Sequence, residues 1–159
     1  MRFPFILFFL VVLLNGCTAP GNMRPGLSEP DAIKSIGQPR AVYVLPDGTR
    51  RLEYSGSFTQ ETWMMDFQNG RLKRSEQVMT VEKFSQLKLG QDNKTSVQNL
   101  FGTPFEIVQL ARLEREVWSY RLKLNGVFPA LMHVQFDRSG IVRETFSGPD
   151  LEWEREIKD

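Results

Sequence analysis

The sequence predicts an α+β protein of two tandem repeats, each with one or two short helices packed on a four-stranded antiparallel sheet. Three observations predict it. An ordered set of residues recurs in the two halves; apolar stripes of helical spacing stop at Gly-x-Pro in both; and runs of alternating polarity joined by Asn-Gly or Asp-x-x-Gly turns follow each stop. Helices placed ahead of hairpin-connected strands segregate to one face of the sheet.

The repeat is read directly from the residues. Gly37-Gln38-Pro39 returns as Gly102-Thr103-Pro104, and Leu52-Glu53-Tyr54 as Trp118-Ser119-Tyr120. Trp63, Met65 and Phe67 return as Met132, Val134 and Phe136, and Gly70 returns as Gly140. The spacing between partners widens along the chain, so the second copy is longer, and the extra residues fall between the periodic runs, where loops tolerate insertion.

Each element has a local reason. Ser28-Glu29-Pro30-Asp31 is a capping-box-like start, and Ala32, Ile33 and Ile36 form a stripe that Gly37 ends. Ala41 to Leu45 and Arg50 to Tyr54 flank the turn Pro46-Asp47-Gly48-Thr49. Thr62, Met64 and Asp66 alternate with Trp63, Met65 and Phe67, and Asn69-Gly70 turns the chain into a partner strand at Leu72. In the second copy Val81, Phe84 and Leu87 mark a short helix from Thr80 to Lys88 that closes at Gly90. Asp92 or Asn93 then caps a helix carrying Val97, Leu100 and Phe101, which Gly102 ends and Pro104 prevents from resuming. Strands are expected over Phe105 to Leu110, Val117 to Leu124, Ala130 to Phe136 and Ile141 to Phe146, with turns at Asn125-Gly126 and Asp137-Arg138-Ser139-Gly140. Trp63, Met65, Phe67, Trp118, Tyr120, Val134 and Phe136 are the expected core.

The first residues belong to another purpose. Phe5 to Leu14 is an apolar run of about ten residues behind Arg2, the length of an export signal and too short to span a bilayer. It ends at Leu14-Asn15-Gly16-Cys17, which resembles the lipobox of bacterial lipoproteins, with Leu14 three residues before the cysteine and the small Gly16 beside it. The resemblance implies cleavage between Gly16 and Cys17 and attachment of diacylglycerol and palmitate-type acyl chains to Cys17. The alternative is an ordinary leader followed by a free cysteine. Thr18 follows Cys17, where inner-membrane lipoproteins resemble one another in having Asp, so the analogy implies an outer-membrane location on the periplasmic face. Residues 18 to 25, with two prolines and a glycine, read as an extended tether. The expected organisation is therefore a signal peptide over 1–16, a lipidated cysteine and tether over 17–25, repeats over 26–79 and 80–148, and a charged tail over 149–159.

Composition supports a folded product: 41% hydrophobic and 25% charged residues let the roughly 140 residues after the leader bury a core. A formal charge of +1 gives no basic footprint for nucleic acid. Cys17 is the single cysteine, so no disulfide within the chain is expected.

The titratable residues form no catalytic constellation in the sequence. His133 is the single histidine and falls on the strand side opposite Met132, Val134 and Phe136, at the place of Met64, so it reads as a solvent-facing or inter-repeat strand residue. One His and one acylated Cys cannot make a zinc site, no motif around His133 supports a nucleophile-base pair, and neither Gly-Gln-Pro nor Gly-Thr-Pro belongs to a phosphate-binding glycine motif. Glu114 and Glu116 with Arg112 and Arg115 read as a solvated hairpin end, and Glu152, Glu154 and Glu156 as part of the tail. No catalytic residue, metal or cofactor is expected.

Gly26-Leu27-Ser28, Ala32, Gly37 and Pro39, an aromatic-x-Tyr strand and a Phe-x-x-Gly hairpin resemble the SmpA/OmlA (BamE-type) domain of outer-membrane lipoproteins. The second copy matches as Val97, Gly102, Pro104, Trp118, Tyr120, Phe136 and Gly140. The tandem arrangement is similar to the β-lactamase-inhibitor-protein fold. The first resemblance implies a non-catalytic accessory factor for assembly of β-barrel outer-membrane proteins, with protein partners in the envelope. The second implies an inhibitor-like or regulatory binder of a periplasmic enzyme. The chain departs from the BamE-type pattern in having two copies and in placing Leu52 where an aromatic is usual.

Overall fold

The computed structural model describes residues 19–56 and 60–156. Helix α1 (Glu29–Ile36) precedes the strands β1 (Ala41–Val44), β2 (Arg50–Ser55), β3 (Thr62–Gln68) and β4 (Arg71–Gln77). Helices α2 (Val81–Phe84) and α3 (Lys94–Phe101) precede β5 (Glu106–Leu110), β6 (Arg115–Leu124), β7 (Phe128–Phe136) and β8 (Val142–Pro149), and α4 (Leu151–Glu156) follows. The strands form two antiparallel meanders, β1-β2-β3-β4 and β5-β6-β7-β8. This is the expected α+β architecture.

The local signals act as their chemistry requires. The Ser28 side chain accepts from Asp31 N to cap α1, with Pro30 in the first turn. For α3 the cap is Asn93, which accepts from Ser96 N, while Asp92 takes the Lys88 N–H one turn earlier. Helix α2 is a single turn rather than a helix to Lys88, and the second-copy strands β6, β7 and β8 run longer than the polarity alternation indicates.

Equivalent positions make equivalent bonds. Tyr54 donates to Gly37 O at 3.1 Å and Tyr120 to Gly102 O at 3.3 Å, so each sheet is tied to the end of its helix in the same way. Glu29 N bonds Gly70 O and Lys94 N bonds Gly140 O, both at 3.1 Å, joining helix start to hairpin turn. Leu52 lies opposite Met65 as Trp118 lies opposite Val134, and the register slips just before Phe67 and just before Phe136. The recurrence in sequence is thus a recurrence of structure.

The layers follow from which faces are apolar. Ala32 of α1 packs with Leu52, Tyr54, Met65, Phe67 and Leu72 on one face of the first sheet. Val97 and Phe101 of α3, with Phe84 of α2, pack with Trp118, Tyr120, Val134 and Phe136 on one face of the second. Phe84 stacks on Phe101 at 4.0 Å between ring centroids, and both rings tilt against Tyr120. The second unit's helices also cover the far face of the first sheet: Met64 enters the second core, and Val78 and Met79, at the end of the first repeat, are buried there too. The order of layers is α1, first sheet, α2 with α3, second sheet.

Other segments differ from the sequence reading. Pro20–Asn22 forms a 3-10 turn docked on the first sheet, where Pro20 O accepts from Ser75 Oγ at 2.8 Å, so this part of the tether is held. Trp63 is half-buried rather than core: it packs against the first core, and its ring is covered in part by Gly21. The tail begins as structure: Asp150 is buried, pairs with Arg121 at 2.9 Å and accepts from Trp153 N at the start of α4. Glu116 does not belong to a solvated hairpin end, since Lys94, Gln109 and Trp118 all donate to it.

An ion cluster lies between the layers. Arg51 grips Asp66 with two bonds of 2.6 and 2.8 Å and donates to Asn99 O of α3, while Arg74 adds a bond to Asp66 at 3.1 Å. Burial pushes the Asp66 carboxyl up, but the Arg51 fork and Arg74 outweigh it and hold the group below its usual value. The stability this linkage contributes is therefore full above the unfolded-chain carboxyl value of about 3.9 and is lost as pH falls through the lower folded value. Urea titrations at pH 7 and pH 3 should show a loss in midpoint that is smaller in Asp66→Asn; an identical loss in both proteins would remove Asp66 from the account.

Candidate functional site

The residues expected to carry the lipid, Gly16 and Cys17 with Leu14 and Thr18 around them, lie outside the described residues. The candidate sites among the described residues are the seam between the repeats, a cleft at one end of that seam, and the uncovered face of the second sheet.

The seam centres on Glu53, whose side chain has no solvent exposure. Its Oε2 accepts from Tyr43 OH at 2.6 Å and from Thr103 N and Thr103 Oγ1 at 3.0 Å each, and Arg40 Nε stands 3.7 Å from Oε1. Burial, and then the bond to Glu53, push the Tyr43 hydroxyl up to about 12, so it remains a proton donor. These bonds run from β1 and β2 of the first unit to the turn after α3 of the second. They are cohesive rather than chemical, because Glu53 Oε2, Tyr43 OH and Thr103 are spent on holding one another, while the buried Oε1 accepts no hydrogen bond and has only the more distant Arg40 beside it.

At the end of the seam, Arg40, Gln60, Thr103, Phe105, Arg121 and Trp153 line a cleft of about 260 Å³. Gln60 is buried with neither amide atom hydrogen-bonded. The Arg121 guanidinium lies 3.8 Å over the Phe105 ring and is tethered from behind by Asp150 and Glu152.

The uncovered face has a different character. Along β6 and β7 the inward residues are Trp118, Tyr120, Met132, Val134 and Phe136, so Val117, Ser119, Arg121, Leu131, His133 and Gln135 share the outward face. His133 pairs with Phe146 across β7 and β8, and their rings stack at 4.7 Å with a 30° interplanar angle. The His133 Nδ1 is hydrogen-bonded to Ser119 Oγ at 2.9 Å, and burial pushes the imidazole below its usual value, leaving the ring neutral at pH 7. Ser119 is nonetheless only 2% exposed, covered by these neighbours. Val108 and Phe146 are exposed, so the face offers aromatic and aliphatic edges around a small polar centre, the composition of a protein-binding patch.

His133, read from sequence as solvent-facing or inter-repeat, is half-buried on this face and makes no nucleophile-base pair beyond the Ser119 bond. The patch itself was not legible as a site. The one signal was the alternation of β7, which leaves Leu131 and His133 opposite the core residues.

No family model matches the chain, and no curated protein matches it either. Among solved structures it is similar to a DUF4309 family protein (YjgB) from Bacillus subtilis, at 14% identity over 76% of each chain with a TM-score of 0.31. It is also similar to a protein from Streptococcus mutans described provisionally as a β-lactamase inhibitor protein, at 13% identity over 84% of this chain and 89% of that one, with a TM-score of 0.32. At such scores neither likeness carries an argument, and the fold rests on the strand pairing above. The SmpA/OmlA resemblance, carried by turn glycines and core aromatics, gains no support from these comparisons.

Proposed function

We propose that the protein is a lipid-anchored, non-catalytic binding factor of the bacterial cell envelope, placed on the periplasmic face of the outer membrane by acylated Cys17. The observation that supports it best is the open face of the second sheet. The first sheet has both faces covered, by α1 and by α2 with α3, whereas Val108 and Phe146 on the outward face of the second are exposed, with α4 reaching that face only through the pairing of Asp150 and Glu152 with Arg121 among the described residues. An exposed patch of this kind marks an interaction surface. Accessory work in β-barrel outer-membrane protein assembly is the reading that the lipobox and the BamE-type motifs support. Regulation or inhibition of a periplasmic enzyme is the second reading, favoured by the open face alone, which suits occlusion of one partner.

A photo-crosslinking residue at Phe146, with one at Lys34 on α1 as control, separates the readings. Barrel-assembly subunits captured from Phe146 but not from Lys34 support the first, and a single hydrolase supports the second. No protein adduct at Phe146 removes both.

The anchor is tested separately. Cys17→Ser is expected to leave the circular dichroism spectrum unchanged and to release the protein from the outer membrane, or leave it held by an uncleaved leader, because a chain without acyl groups loses durable attachment. Binding should fall with it, since tethering supplies effective concentration near a membrane partner. Correct outer-membrane retention of the variant with full activity would overturn the lipoprotein reading.

A further inference from the structure

We propose that the β6–β7 hairpin tip, Val127 and Phe128, is a membrane-contact wedge that fixes the orientation of the protein on the lipid surface. The inference rests on acylation of Cys17, proposed above, and adds the face that meets the bilayer.

The first argument is the place of the anchor. Ala19, where the described chain begins, is two residues past Cys17, and two residues span at most about 7 Å whatever their conformation. The segment that follows does not swing freely. Pro20 O is held by Ser75 Oγ, and Gly21 lies so close to the Trp63 ring that an added Cβ would come within 2.5 Å of it. An acylated Cys17 therefore holds one particular end of the molecule against the lipid.

The second argument is what else lies at that end. Glu61 and Trp63 line a hollow with Ala19 and Pro20, and Glu61 lines a neighbouring hollow with Lys123, Asn125 and Gly126. The start of the anchored segment and the β6–β7 turn thus flank the same residue. Asn125 and Gly126 take positive φ values of 52° and 72°, which turns the chain sharply. Val127 and Phe128 beyond them are 67% and 64% exposed and belong to neither core cluster. Large apolar side chains held out beside a lipid anchor gain a partner when they enter the interface.

Charge decides the kind of contact. Among the described residues, Lys123 shares its hollow with Glu61 and Glu82, and Arg40 of the neighbouring hollow stands 3.7 Å from the Glu53 carboxylate, so each cation here has acidic company and offers little to anionic headgroups. The wedge should act by burial of apolar surface and should be indifferent to headgroup charge.

The test uses the full acylated chain, with Phe128→Cys carrying an environment-sensitive nitrobenzoxadiazole dye, reconstituted into phosphatidylcholine vesicles and into vesicles with added phosphatidylglycerol. Leu113→Cys is the control, since Leu113 is 65% exposed in the β5–β6 connection at the opposite end of the sheet. Dye at position 128 is expected to brighten roughly threefold and shift to the blue on reconstitution, equally in both lipids, while dye at position 113 stays as in water. The mass of Cys17 in the same sample reads the anchor independently. Acylated Cys17 with a water-like dye at 128 overturns the wedge and leaves the anchor standing, whereas unmodified Cys17 overturns both. Brightening in phosphatidylglycerol vesicles alone overturns the apolar wedge as well.

Discussion

Phe136→Ala should lower stability by about 3–5 kcal/mol, a large share of what a domain of this size possesses. Phe136 has no exposure and meets the Trp118 ring at 4.9 Å, with the Lys94 ammonium 5.9 Å from its centroid. Truncation leaves a void that a close-packed core fills only in part. Phe67→Ala should cost a similar amount, because Phe67 occupies the matching place in the first sheet and is 1% exposed. The way the two losses present themselves is more telling than their size. Met64 of the first unit sits in the second core, and Glu53 and Arg51 bond to the turn and helix of the second unit. Both substitutions should therefore move one shared urea transition monitored by fluorescence and circular dichroism together. A second transition that only one of them shifts would show that the repeats unfold independently and that the seam contributes little.

The seam is also where sequence and structure part company. Gly37 with Gly102, Tyr54 with Tyr120 and Phe67 with Phe136 were legible because each reports a local requirement: a positive φ after a helix, a hydroxyl reaching a helix end, a side chain on the apolar side of an alternation. Arg51, Glu53, Met64 and Asp66 fall on the other side of that alternation and would ordinarily face water. All four are buried because α2 and α3 are stacked on them, and no local pattern encodes the stacking of one unit on another. Met64 was the available clue, an apolar residue on the polar side of β3. Pro20 to Pro25 read as a tether because composition cannot register that Ser75 and Trp63, far along the chain, hold the turn at Pro20–Asn22. The start of the tail departs for the same reason: Asp150 looks solvated until Arg121 is seen beside it, whereas Glu152, 60% exposed, stays at the surface as read. On the candidate face, the position of His133 could be inferred from alternation, but its stack on Phe146 depends on the β7–β8 register.

Gly102→Ala is expected to be far more damaging than the same change at Gly37, although the two glycines are equivalent in the repeat. Both have positive φ, 89° at Gly37 and 80° at Gly102, with extended ψ, a region open essentially to glycine alone. That strain costs each variant about 1–3 kcal/mol. The surroundings then separate them. A Cβ on Gly37 would meet nothing within 4 Å, whereas a Cβ on Gly102 would come within 2.6 Å of Glu53 Oε2 and 2.7 Å of Met64 Cε. Glu53 cannot move away cheaply, since Tyr43 OH, Thr103 N and Thr103 Oγ1 all donate to that oxygen. Overpacking a buried site adds about 1–3 kcal/mol, and breaking bonds to a buried charged group adds roughly as much again. Gly102→Ala should thus cost about three times as much as Gly37→Ala in urea unfolding, if it folds at all. A double-mutant cycle identifies the cause. Removing the carboxylate with Glu53→Ala should make Gly102→Ala cheaper than it is in the parent, a coupling of at least about 1 kcal/mol that residues in contact show and distant ones do not. Equal costs at Gly37 and Gly102, or additive losses at Gly102 and Glu53, would mean that the close approach at the seam is not what the second glycine is for.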